Sequence, residues 1–168
     1  MRRTIRSAIL LLLGGCAFGF AGGGLPPNIR TVAVNPFDNT TSYPTLGQDV
    51  SLAVKQAVES RLGLRSVPEQ SADAIVTGKV TRYDADQPLA YVGTPTAAGQ
   101  PNQVNVTRRQ VELAVDITIV DQRSGKILWD GRGQVVQGQY DPGREADGRK
   151  LALQNLVNKV IDGVHSNW

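Results

Sequence analysis

Val111-Glu112-Leu113-Ala114-Val115-Asp116-Ile117-Thr118-Ile119 sets apolar residues at every second position and small or polar ones between them. Side chains on a β-strand point alternately to opposite faces, so this period of two predicts a strand with one buried face. Asp121-Gln122-Arg123-Ser124-Gly125-Lys126 follows with turn chemistry, and Ile127, Trp129 and Val135 are expected on one face of the strand that returns. The stretch predicts an antiparallel hairpin. Gly131, Gly133 and Gly138 on the return strand have the wrong spacing for a dinucleotide fingerprint and open no helix. Glycines inside a strand instead predict a bulge or a close approach by another backbone.

Toward the N-terminus, Ala74-Ile75-Val76-Thr77-Gly78-Lys79-Val80-Thr81-Arg82-Tyr83 predicts a further strand, and Asp84 to Asn102, rich in Pro, Gly, Thr and Ala, reads as a long connection. Leu64-Arg65-Ser66-Val67 suits a small strand. Thr45 to Leu62 carries Leu46, Val50, Ala53, Val54, Ala57, Val58 and Leu62 at spacings of three and four, one stripe of an amphipathic helix, with Gly63 as its stop. Arg30 to Phe37 predicts a short strand ended by Pro36, and Asp38 to Ser42 is turn chemistry. Beyond the hairpin, Asp141-Pro142 offers a helix start, and Leu153, Leu156, Val157, Val160, Ile161 and Val164 form a second stripe. Each helix is apolar on one stripe only. The economical fold is therefore α+β: a two-layer sandwich of one mixed or antiparallel sheet of about four strands, with both helices packed on one face.

The 168 residues suit one domain. The chain carries 18 Lys+Arg against 15 Asp+Glu, but Arg2, Arg3 and Arg6 hold the whole excess, so the 15 basic side chains beyond them match the 15 acidic ones. With an aromatic content of only 5%, a neutral domain of this kind excludes a nucleic-acid reading. Arg2, Arg3 and Arg6 precede the apolar run Ala8 to Leu13, far shorter than the roughly 20 residues of a membrane span but suited to an export signal. Leu13-Gly14-Gly15-Cys16 resembles the bacterial lipobox, which implies cleavage before Cys16 and a diacylglycerol on its thiol. The alternative is an ordinary signal cut after the small residues, but Cys16 is the single cysteine and has no intramolecular disulfide partner. Residues 1–15 are thus expected to be a lipoprotein signal, 16–28 a lipidated Gly- and Pro-rich tether, and 29–168 a single domain. Ala17, where inner-membrane retention would call for Asp, implies sorting to the outer membrane, facing the periplasm.

Catalysis finds little material. The single histidine, His165, lies three residues from the end, and no His, Cys, Asp and Glu set has metal-ligand spacing. Asp84 and Asp86, flanked by Tyr83, Gln87 and Pro88, read as turn residues rather than a metal or acid pair. Asn39-Thr40-Thr41 fits a glycosylation sequon by chance in a chain of bacterial type. No cofactor is expected apart from the covalent lipid on Cys16, and a binding protein is the better class. Arg108 and Arg109 begin the first hairpin strand, with Lys126 and Arg132 in the turn and return strand; they are the candidate contacts for a phosphate-bearing polyanion, or else solvated charges around a hairpin.

Three stretches in order carry a family resemblance. Val32-Ala33-Val34-Asn35-Pro36-Phe37-Asp38-Asn39-Thr40-Thr41-Ser42 resembles the first motif of LptE, the lipopolysaccharide-assembly lipoprotein family. Ser71-Ala72-Asp73-Ala74-Ile75-Val76-Thr77-Gly78 is similar to its Ala-Asp pair before a Gly-containing strand. Val115 to Trp129 resembles its hairpin, whose turn ends in Gly-Lys before an apolar residue, Leu and Trp. The resemblance implies a non-catalytic, lipid-anchored protein that plugs the outer-membrane β-barrel LptD, assists its assembly and contacts lipopolysaccharide in transit. Cys16-Ala17-Phe18 departs from the family's usual Cys-Gly-Tyr. The first motif also resembles exported interaction modules, namely the lipoprotein activators of peptidoglycan synthases, the curli-secretion lipoproteins and the N-terminal domain of TolB, which imply a protein-binding alternative.

Overall fold

The computed structural model describes residues 25–93 and 104–166; the expected signal, Cys16 and most of the tether lie outside them. Six strands and two helices follow in the order β1 (Thr31–Val34), β2 (Asp38–Asn39), α1 (Leu46–Arg61), β3 (Arg65–Ser66), β4 (Ala74–Gly93), β5 (Val104–Asp121), β6 (Ile127–Tyr140) and α2 (Glu145–Ser166). The sheet runs β3-β1-β4-β5-β6, with β2 also pairing β4. β1 lies parallel to β3 and β4, whereas β4, β5 and β6 are antiparallel, so the sheet is mixed. The α+β expectation holds, with six strands in place of about four.

The periodicities act as expected in the core. Val111, Leu113, Val115, Ile117 and Ile119 turn one face of β5 inward. Val50, Val54 and Val58 of α1 and Leu156, Val160 and Val164 of α2 meet them in one cluster. Three aromatic rings close this layer, each seated where a glycine leaves room. Phe37 lies on Gly78, Trp129 between Gly131 and Gly163, and Tyr140 on Gly148; a Cβ on any of these glycines would stand 2.2 to 2.5 Å from the ring. At Gly138 a Cβ would fall 1.9 Å from the Gly148 carbonyl oxygen, so β6 and α2 touch backbone to backbone.

Asp73, at the foot of β4, knits three segments. Its carboxylate accepts from the Arg30 and Thr31 amides at 3.1 and 3.0 Å, from the Thr31 hydroxyl at 2.8 Å and from the Arg123 guanidinium at 3.0 Å. The start of β1 is thereby fastened to the β5–β6 turn. These donors hold the carboxyl below its ordinary value, the Arg30 amide first and the Thr31 hydroxyl next. The turn itself is an Asx arrangement, in which Asp121 accepts from the Arg123 and Ser124 amides.

Four expectations need correction. Asp84 to Gly93 is not a connection: β4 continues through it, paired to β5 as far as Gly93 opposite Val104. The turn-like residues sit at register irregularities, where Asp84 accepts from the Asp86 amide and the Gln87 side chain while the strand goes on. The rest of that expected connection, 94–102, lies outside the described residues. Asp38-Asn39 pairs with Lys79-Val80 as a short strand, and the turn bonding runs from Asn39 through Thr41 to Tyr43. The second helix begins at Glu145 because Gly143, at φ +85, turns the chain after Pro142. On β6, Ile127 and Val135 are exposed while Leu128, Trp129 and Val136 are buried. Two bulges cause this. One extra residue lies opposite Ile119–Val120, and another opposite Val115–Ile117, where Gly133 takes φ +70.

Two outcomes follow for stability. Gly138→Ala forces the strand off the helix and is expected to cost about 3 kcal/mol in urea unfolding. Asp73→Asn is expected to cost about 2 kcal/mol near neutral pH. Because the folded-state pKa of Asp73 is depressed, its contribution is present above the unfolded value of 3.8 and lost as pH falls through the folded value. Unfolding midpoints across that acid range should therefore fall less steeply in Asp73→Asn than in the parent chain.

Candidate interaction surface

The long hairpin carries the expected cations but spreads them along its length. Arg108 and Arg109 stand opposite Ala90 and Pro88 of β4, near the far end of the sheet. Arg109 pairs with Asp86, while exposed Arg108 lines a cavity of about 280 Å³ with Tyr140, Asp141, Arg144 and Asp147. Arg132 lies midway along β6 and forks onto Asp130, with Nε 2.9 and 3.0 Å from the two carboxylate oxygens. That guanidinium holds the Asp130 carboxyl below its ordinary value. Lys126 closes the turn at the opposite end of the hairpin, where its carbonyl accepts from the Asp121 amide at 2.9 Å. From Arg109 to Asp121 the strand covers about 40 Å at roughly 3.3 Å per residue. The four cations therefore occupy three places rather than one patch.

β6 ends opposite Arg109, while β4 and β5 run on together as a two-stranded arm. Leu89, Tyr91 and Val92 on this arm are exposed, so apolar side chains project just beyond Arg108 and Arg109. At the base of the arm Tyr83 donates to Glu145 of α2 at 3.0 Å and meets the ring of Tyr43 edge-on at 4.5 Å. Burial first, and the Glu145 carboxylate second, push the Tyr83 phenol up to about 12. Tyr140 reaches back across the sheet to donate to the Ala85 carbonyl. One part-buried hydroxyl thus ties β4 at the base of the arm to α2, and another ties it to β6.

Sequence reasoning missed two grooves. One, of about 410 Å³, runs between the helices over Ala57, Leu153 and Val157, with Arg61, Arg149 and Lys150 at its rim. Each of these cations reads as an ordinary polar-face residue, and only the packing of α1 beside α2 gathers them. The other, of about 690 Å³, follows the outer edge of β6 beside α2. Its only trace in the sequence is the four-residue spacing of Leu151, Asn155 and Lys159. Among the described residues no three His, Cys, Asp or Glu side chains gather as a metal site, and no helix is long and apolar enough to cross a membrane. His165 lies exposed in the last turn of α2. What the surface offers is contact: an apolar arm with cations at its base, and grooves along the helices.

Solved structures share this architecture. PelC from Paraburkholderia phytofirmans, described as a dodecamer, aligns with a TM-score of 0.55 at 16% identity over 85% of this chain and 94% of its own. A protein of Xanthomonas campestris aligns with a TM-score of 0.54 at 10% identity over 85% of this chain and 87% of its own. At such identities the likeness shows the fold alone. None of the curated proteins compared matches the chain. The LptE family model, described as lipopolysaccharide-assembly, matches residues 29–166, from the buried Ile29 before β1 to the last residue of α2. With nearly the whole domain matched, the chain belongs to the LptE lipopolysaccharide-assembly family.

Proposed function

We propose that this protein is a non-catalytic lipoprotein, acylated at Cys16 and held on the periplasmic side of the outer membrane, that plugs an LptD-type β-barrel, assists its assembly and takes part in lipopolysaccharide transport to the outer leaflet. The observation that carries the reading is the family match over residues 29–166. The dimensions of β4 support it. Paired to β5 from Ala74 opposite Asp121 to Gly93 opposite Val104, and allowing for its bulges, the strand extends over about 53 Å at roughly 3.3 Å per step, more than the 40 to 45 Å of a bilayer with its headgroups. A domain built on such a ribbon can reach through a barrel lumen while an acyl anchor holds its N-terminus to the leaflet.

The polyanion contacts fall to the four cations in different degrees. Arg108 and Arg109 sit beside the apolar Leu89, Tyr91 and Val92, a pairing that suits the phosphates and acyl chains of one glycolipid. Arg132 and Lys126 make separate contacts farther down the hairpin. Arg109 and Arg132 must exchange Asp86 and Asp130 for a phosphate, which lowers their share relative to Arg108.

Two measurements test this. Full-length acylated protein, purified from detergent-solubilised outer membranes, is expected to bring down an LptD-type barrel; recovery of a peptidoglycan synthase without the barrel would replace this reading by the interaction-module alternative. Joint replacement of Arg108, Arg109, Lys126 and Arg132 by Ala is expected to weaken lipopolysaccharide binding at least tenfold, with Arg108→Ala alone giving the largest single share. Unchanged binding by a folded quadruple variant contradicts the contact assignment.

A further inference from the structure

β6 is the outer strand of the sheet, and among the described residues no strand pairs its far side. The carbonyls of Val135 and Gln137 nonetheless have donors. Lys159 Nζ donates to Val135 at 2.9 Å and Asn155 Nδ2 to Gln137 at 2.7 Å. Acceptors two residues apart are the spacing at which a neighbouring strand presents its amides. The donors in place are instead two side chains one helical turn apart on α2. Val135 and Leu151, each 38% exposed, flank the row, and the groove along it measures about 690 Å³.

We propose that this edge is a strand-addition site: an extended segment of a partner protein lies along β6, its amides replacing Asn155 and Lys159 at the two carbonyls. One side chain of the segment covers Val135 and Leu151. Lys159 is the one charged side chain that lines the groove, so a carboxylate on the segment at that point complements it. A second copy of this chain fits less well, because a two-fold pairing of β6 with β6 would bring two like-charged Lys159 ammonium groups close along one seam. The inference does not depend on which envelope protein supplies the segment, nor on the barrel reading.

The test uses the full-length protein and a synthetic seven-residue peptide that alternates Val and Thr around one Glu. A twin has Lys in place of Glu, and a third copy is N-methylated at alternate amides. The Glu peptide is expected to bind at least tenfold tighter than the other two and to protect the Val135 and Gln137 amides from hydrogen exchange. Lys159→Glu, a change at an exposed position, is expected to reverse the preference between the Glu and Lys peptides. Three results overturn the proposal: no binding of the Glu peptide at millimolar concentration, equal binding of the N-methylated copy, or an unchanged preference in Lys159→Glu. Dimerisation of an Asn155→Ala, Lys159→Ala variant through β6 would also overturn it, by making a second copy the occupant.

Discussion

The close approach of α2 to β6 is the constraint on which the rest of the structure depends. At one end the Gly138 strand meets the Gly148 carbonyl with no side chain between them; at the other, Trp129 is held between Gly131 and Gly163. Fifteen residues of helix separate the two contacts, about four turns, so α2 has neither freedom to slide nor freedom to pivot. Its fixed line seals the core over β5 and β6 and sets Glu145 where Tyr83 can reach it. The same line brings Asn155 and Lys159 to the sheet edge. Phe37 on Gly78 repeats the device for the parallel half of the sheet, where its amide also donates to Ser51 of α1 at 2.8 Å.

Regular elements were legible because their periods are local. The alternation from Val111 to Ile119 and the stripes at Val50, Val54, Val58 and at Leu156, Val160, Val164 depend only on which side of a strand or helix a residue faces. Asp84 to Pro88 misleads for the opposite reason. Taken alone these residues form a turn, and they remain in the sheet because Arg109, Gln110 and Tyr140, remote in sequence, bond to Asp86, Gln87 and Ala85. Tertiary partners override the local preference. The reversal of faces on β6 is of the same kind, since a bulge at a glycine is legible as a possibility while its effect on the register is not.

The candidate contacts were legible as residue types but not as a place. Arg108, Arg109, Lys126 and Arg132 share one hairpin, and a hairpin drawn from sequence suggests proximity; the length of β5 separates them. What lies together in space comes from different elements, such as Arg61 with Arg149 or Val135 with Leu151. Beyond its first fifteen residues the chain has balanced charge, so the proposed attraction of an anionic glycolipid would fall to local groups rather than to a long-range field. On the proposed function, the apolar arm beside Arg108 and Arg109 would meet that requirement, with contact for acyl chains next to donors for phosphate.

The central claim is that this chain serves lipopolysaccharide assembly through an outer-membrane barrel. Depleting it in the cells that make it, and following newly synthesised lipopolysaccharide by pulse-labelling and exposure to a cell-impermeant surface reagent, tests that claim most directly. The account predicts that labelled lipopolysaccharide stops reaching the surface while barrel precursor accumulates. Undiminished arrival at the surface, with normally assembled barrel, would contradict it.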